Sequence, residues 1–261
     1  MNAGKAAECG VISALLVKDG IWGPRDILEG AAAGFFRAFS DAPRPEKVTG
    51  DLGRGYRLME VSTKVHAGAG RLQATNDAGL ALSAAHKLAP ARIADVEVGI
   101  PKVIQGMLTQ NDPRDMQSAM LSVPFSLAMA LALGRARGPA AGITPTDYDD
   151  LIDDREVRAL SMRVRCVVDP EIEAKTNSEE VPSRVTVRLA DGRTLEEKVD
   201  HPRGSPHRPM AWDEAAALFR DTVAGDLPAK SIDRVIGLVA ELDGKSRARD
   251  LAKAFVKPKR R

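Results

Sequence analysis

The sequence predicts an α+β protein in which a mixed strand-and-helix unit is inserted into an all-helical domain. Three observations carry this reading. Both ends of the chain place apolar residues at helical spacing, and the middle holds short runs with a period of two. Ala190-Asp191-Gly192 joins two of those runs as an Asp-Gly hairpin turn would. Residues 1–55 and 206–261 are therefore expected to form the helical domain in two segments, with residues 56–205 as the inserted unit. At 261 residues the chain is long enough to bury a sizeable core in either body.

Taken in order, Ala3 to Lys18 carries Ala6, Cys9, Ile12, Leu15 and Leu16 on a broad apolar surface, which predicts a core helix ended by Asp19-Gly20. A core helix that begins at the first residues predicts a cut through a larger domain. Pro24 opens a second expected helix, Asp26 to Phe39, in which small residues beside aromatics predict close helix contact. Ser40 to Gly55, with two prolines and three glycines, reads as a connector.

Leu58, Val61, Thr63 and Val65 alternate into a glycine loop, and a helix is expected from Thr75 to Leu88. Ile93 to Ile100 reads as a half-buried strand. A long helix is expected from Asp115 to Leu133, kinked at Pro124. One or two short helices follow over Asp147 to Leu160, then a strand over Met162 to Val168 and the hairpin over Arg184 to Val199. After a loop at His201 to Pro206, three amphipathic helices are expected over Trp212–Val223, Lys230–Leu242 and Lys245–Phe255.

The stretch from Met59 to Ala85 has the order strand, glycine loop, helix start, a junction that turns backbone N–H groups and a helix dipole toward an anion. Lys64, His66 and Arg71 fall within eight residues of it. Two fixed cations and an imidazole there suit a carboxylate-bearing substrate. Lys64 reads as a carboxylate clamp or as a solvated lysine at a strand end, and His66 as a base or acid or as an exposed loop histidine. Arg71 can hold a second carboxylate bidentately or pair with Asp77. Asp77 reads as a first-turn helix stabiliser ahead of a catalytic carboxylate, and Ser122 and Ser126 as residues that satisfy backbone groups ahead of ligand contacts. His86, His201 and His207 are read as structural or surface residues.

Composition narrows the classes further. Hydrophobic residues at 44% and charged residues at 28% fit a globular protein, and no apolar run reaches membrane-spanning length. The start MNAGKAAECG lacks the pattern of a secretory signal, so the expected location is cytoplasmic. Net charge of +2 argues against nucleic acid as partner, and the terminal KPKRR reads as a solvated end. The histidines show no metal-ligand spacing on a helix face, and no metal is expected. Cys9 and Cys166 stand far apart and are expected to be buried thiols.

Several of these segments, in order, resemble the MmgE/PrpD family, which includes 2-methylcitrate dehydratase, cis-aconitate decarboxylase and iminodisuccinate epimerase. They are AGKAAECGVISALL, GIWGPRDILEG, Lys64 with Asp77-Ala78 beyond it, IADVEV, AMLSVPFSLAMALALG, VRLADGR and PRGSPHRP. The resemblance implies an all-helical domain, here incomplete at its N-terminal side, with the α+β unit as a lid. It also implies a homodimer, and a small di- or tricarboxylate as substrate without metal or organic cofactor. The implied reaction is proton abstraction next to a carboxylate, followed by loss of water or CO₂ or by reprotonation. Fixed cations and a tuned base must then supply the catalysis. Lys64 and His66 are the catalytic candidates, and Lys64, Arg71 and Gln73 the substrate-binding ones. Relatives commonly carry Lys-Pro-Tyr-Pro where this chain has Lys64-Val65-His66-Ala67, and a histidine where it has Gln73. Glutamine can hydrogen-bond a carboxylate but cannot transfer a proton at neutral pH. A non-catalytic remnant, or one half of a split enzyme completed by a separate helical polypeptide, is the competing expectation.

Overall fold

The structure is a computed structural model that describes residues 2–30, 34–177, 180–244 and 247–255. It separates into two units, Met1–Leu58 and Met59–Arg261.

The first unit contains α1 (Asn2–Lys18), α2 (Phe35–Phe39) and α3 (Glu46–Thr49). α1 forms where its spacing predicts and ends at Gly20, whose φ of 97° suits glycine. It is not a core helix, however. From Gly4 onward every residue of α1 is exposed, including Val11 at 62% and Leu15 at 54%, because the described residues of this unit provide no second apolar layer to cover it. Cys9 is exposed with it, which corrects the buried-thiol reading. The helix expected over Asp26–Phe39 is shortened to α2. A turn closed by Gly30 N–H on the Asp26 carbonyl (3.1 Å) precedes it, and Ala31 to Ala33 lie outside the described residues.

The second unit continues with α4 (Gln73–His86), β1 (Ile93–Ile100), α5 (Met116–Ala119), α6 (Val123–Arg137), α7 (Pro145–Leu151) and α8 (Arg155–Ser161). β2 (Val164–Val168), α9 (Pro170–Lys175), β3 (Ser183–Leu189) and β4 (Thr194–Val199) follow, then α10 (Trp212–Val223), α11 (Ala229–Ala240) and α12 (Ala248–Ala254). The strands form one sheet in the order β2-β1-β3-β4, with β1 parallel to β2 and antiparallel to β3, and β3 antiparallel to β4. The α+β class read from the sequence is thus the observed one.

Alternation along the strands decides which face is covered. Val96, Val98, Val185 and Val187 are buried under the helical layer, in which α4 packs on β3 and β4 and α6 approaches β2. The other face carries Asp95 paired with Arg188 and Glu97 paired with Arg165. α4 and α6 cross closely because glycines stand at the contact. A Cβ at Gly79 would lie 2.7 Å from Leu127 Cδ1, and one at Gly134 2.7 Å from the Leu80 carbonyl oxygen. Ser83 Oγ donates across the crossing to the Leu131 carbonyl at 2.6 Å.

Three local expectations change. Residues 61–64 form no strand: a tight turn at Arg57–Glu60 leads into an extended loop that makes one backbone bond, Thr63 N–H to the Gly204 carbonyl at 2.8 Å. The helix over Asp115–Leu133 is broken, not kinked. Ser122 Oγ caps α6 by accepting from Phe125 N–H (3.0 Å), which places Pro124 in the first turn, where a missing N–H costs nothing. Finally, α12 begins at Ala248, with Lys245 and Ser246 outside the described residues. The KPKRR tail also lies outside them.

The hairpin turn forms as read, with Gly192 at φ 87° and Leu189 N–H bonded to the Arg193 carbonyl at 2.8 Å. Among the described residues no helix is long and apolar enough to cross a membrane.

Candidate functional site

Three loops meet at the N-terminal end of α4: residues 61–72, residues 138–144 after α6, and residues 200–208 after β4. Gln73 shapes the first. Its Oε1 accepts from Val65 N–H (3.0 Å) and His66 N–H (2.9 Å), and its Nε2 donates to the carbonyls of His66 (2.9 Å) and Ala69 (3.4 Å). The amide is thereby engaged at both ends by the loop's own backbone.

That grip turns His66 inward, to 1% exposure. Its Nδ1 accepts from Ile143 N–H at 3.2 Å, so the ring proton sits on Nε2, which donates to Asp77 Oδ1 at 3.0 Å. Asp77 Oδ2 accepts from Arg203 N–H at 2.7 Å and has the Arg208 guanidinium 3.8 Å away. Burial raises the Asp77 carboxyl pKa, but the hydrogen bond from His66 and that from the Arg203 amide outweigh it, leaving it below the ordinary 3.8. The Arg203 guanidinium donates to the carbonyls of Ala140 and Ala141, tying the third loop to the second. Burial pushes the Arg203 pKa down while the Asp77 charge opposes that.

A polar chain supports the first loop from beneath. Ser126 Oγ donates to Asn76 Oδ1 at 2.9 Å and lies 2.7 Å from Tyr148 Oη, where either hydroxyl can donate, and Tyr148 Oη also reaches the Ala67 carbonyl at 3.3 Å. Burial pushes the Tyr148 phenol up to about 12, against the hydrogen bond to Ser126. It therefore stays a donor. Gly204 comes so close to the first loop that a Cβ there would sit 2.1 Å from the Thr63 carbonyl oxygen, and its φ of 85° is a second reason for glycine.

The cations stand outside this buried knot. Lys64 is exposed, with Nζ donating to the Gly68 carbonyl at 2.9 Å, and Arg71 is half-buried with Nη1 4.0 Å from Met107 Sδ. A cavity of about 170 Å³ lies behind Val65 and Arg203, bordered by Glu214 and Asp221, and an open cleft of about 710 Å³ is bordered by Asp147, Asp150 and Asp221. Both are acidic surroundings that disfavour an anion. Cys166 is partly buried and burial raises its thiol pKa to about 12, so it is inert as a nucleophile.

Sequence reasoning brought Lys64, His66, Arg71 and Gln73 to one junction; the structure has the first three on the loop at residues 61–72, with only His66 turned inward, and Gln73 as the first residue of α4. That reasoning read Asp77 as a first-turn helix stabiliser without foreseeing its buried partners, and it gave no role to Arg203 or Tyr148. One signal was available for Asp77. It lies four residues after Gln73 and so shares a helix face with it.

Taken together, a four-stranded mixed sheet under paired helices, with a buried imidazole–carboxylate pair at a loop junction, defines the domain as α+β. Residues 66–243 match the model of the MmgE/PrpD C-terminal domain, and the chain belongs to that family, one of lyase and dehydratase type. It is also similar to the cis-aconitate decarboxylase-like protein oryM of Aspergillus oryzae (strain ATCC 42149 / RIB 40). The two are 22% identical over 255 residues, covering 91% of this chain and 50% of that protein. The chain thus spans about half the length of the curated relative it matches.

Proposed function

We propose that this chain carries the proton-transfer pair of a cofactor-independent lyase or isomerase acting on a small di- or tricarboxylate. The observation that carries the reading is the buried His66–Asp77 pair, inside the family-matched segment, with His66 on the same loop as Lys64 and Arg71. In this mechanism Lys64 and Arg71 hold carboxylates of the substrate while Gln73 keeps the loop in shape. His66 gains a free lone pair when the 3.2 Å bond from Ile143 N–H opens, takes the proton next to a carboxylate, and is stabilised as an imidazolium by Asp77. Loss of water, loss of CO₂, or return of the proton to the opposite face would complete the reaction.

The test is turnover of cis-aconitate, 2-methylcitrate and iminodisuccinate by the full chain, alongside the thermal midpoint with each acid. One acid is expected to be consumed, with His66→Asn lowering kcat by about 10²–10⁴-fold and Lys64→Ala raising KM. If no acid is consumed and none raises the midpoint, the reading fails. Homodimer formation, implied by the same resemblance, is checked by light scattering. A second reading is a non-catalytic remnant, or one half of an enzyme completed by another polypeptide. An acid that stabilises the chain without being consumed, with activity appearing only when a helical partner is added, would decide for the split form.

A further inference from the structure

The loop at residues 200–208 holds a second constellation that plays no part in the chemistry above. Glu180 is buried at 5% exposure, in a turn where its own N–H is held by Asn177 Oδ1 at 2.8 Å. Its two carboxylate oxygens are each met by an imidazole: Oε2 by His201 Nδ1 at 2.8 Å and Oε1 by His207 Nδ1 at 3.2 Å. The two rings stack with centroids 4.4 Å apart and planes 29° from parallel. One ligand atom from each of the three residues lies within 4.8 Å of the other two.

We propose that Glu180, His201 and His207 form a binding site for a divalent transition metal of the zinc class. The donor set is two imidazole nitrogens and one carboxylate oxygen, which suits zinc, nickel or cobalt and disfavours magnesium or calcium. Zinc–nitrogen bonds of about 2.0–2.1 Å at a tetrahedral centre require donors about 3.3 Å apart. The His201 and His207 side chains are 48% and 64% exposed, so small ring rotations close the set without disturbing packing. On binding, each neutral imidazole gives its Nδ1 lone pair to the metal and carries its proton on Nε2, and the two Nδ1 contacts to Glu180 are replaced by metal bonds. Water fills the remaining position, as expected of an accessible site with three protein ligands.

The geometry also says what occupancy would do. The same loop supplies Arg203 N–H to Asp77 and the Gly204 carbonyl to Thr63 N–H. Fixing His201 and His207 to Glu180 therefore stiffens the loop that holds the His66–Asp77 pair. The metal site itself stands on its own three residues and does not depend on the proposed reaction.

The experiment uses the full chain stripped with chelator and titrated with Co²⁺, read by visible ligand-field absorption and by thermal midpoint, followed by displacement with Zn²⁺. One equivalent is expected to saturate the absorption and raise the midpoint, and Zn²⁺ is expected to abolish the colour. His207→Gln, at the more exposed ring, should weaken binding by more than about tenfold, the smaller cost of removing even an outer-shell partner. His201→Gln combined with His207→Gln should abolish it, with circular dichroism showing that the fold is kept, and His86→Gln should leave it unchanged. Absence of the absorption, or its persistence in the double variant, overturns the proposal.

Discussion

Helices α1 and α6 are 17 and 15 residues long, and both carry alanine and leucine among their apolar residues. In α6 the side chains of Phe125, Leu127, Met129 and Leu131 are 0% exposed, whereas in α1 Val11, Ile12, Leu15, Leu16 and Val17 all face solvent. Similar composition has led to opposite burial. The difference lies in the neighbours: α6 has α4 against it and the sheet below, and the described residues of the first unit offer α1 neither. Apolar residues at helical spacing predict the helix, while a second apolar surface decides whether it is core.

The largest effect that would sharpen this contrast is a matched pair of truncations. Phe125→Ala should cost about 3–5 kcal/mol, and Leu15→Ala less than about 0.5 kcal/mol, by urea unfolding. Trp22 lies in the first unit and Trp212 in the second, so Trp22→Phe and Trp212→Phe variants let fluorescence follow each unit separately. Comparable losses at Phe125 and Leu15 would break the contrast, because they would mean that α1 is buried in solution.

Next in size is the buried carboxylate. Asp77→Ala leaves the His66 Nε2–H and the Arg203 N–H without an acceptor, at a cost of about 1–3 kcal/mol. The pair also has a signature in acid. Because the folded Asp77 carboxyl lies below its ordinary 3.8, its contribution to stability is full above that value and is lost as pH falls through the depressed one. Acid unfolding followed at Trp212 should therefore begin at higher pH in Asp77→Asn than in the unmodified chain. Identical acid profiles would mean that Asp77 carries no depressed pKa. The smallest effect belongs to the solvent face of the sheet. Arg188→Ala removes an ion pair in which the arginine is 63% exposed, and the unfolding free energy should fall by less than about 0.5 kcal/mol.

Short-range chemistry was the legible part of this sequence. Asp191-Gly192 announced its hairpin because the turn needs a positive φ, and Ile93 to Ile100 announced a strand because one face of it is covered and the other is not. Pro124 was misread as a kink because Ser122, two residues earlier, is a start signal as strong as the proline is a break. Alternation from Leu58 to Val65 suggested a strand, yet these residues pair with no strand of the sheet. The site was legible to the extent that it is local. His66, Gln73 and Asp77 fall within twelve residues, whereas Arg203 and the Glu180–His201–His207 group meet their partners only through tertiary folding.

Asp77 receives its hydrogen bond from Arg203, 126 positions further along the chain. During synthesis α4 emerges long before that partner exists, and the acid must wait for β3, β4 and the loop beyond them to be translated. The His66 environment is consequently one of the last features of the second unit to be completed. A nascent chain halted before residue 203 would hold the helix and the imidazole without the amide that secures their carboxylate, so the buried pair is complete only once that residue has arrived.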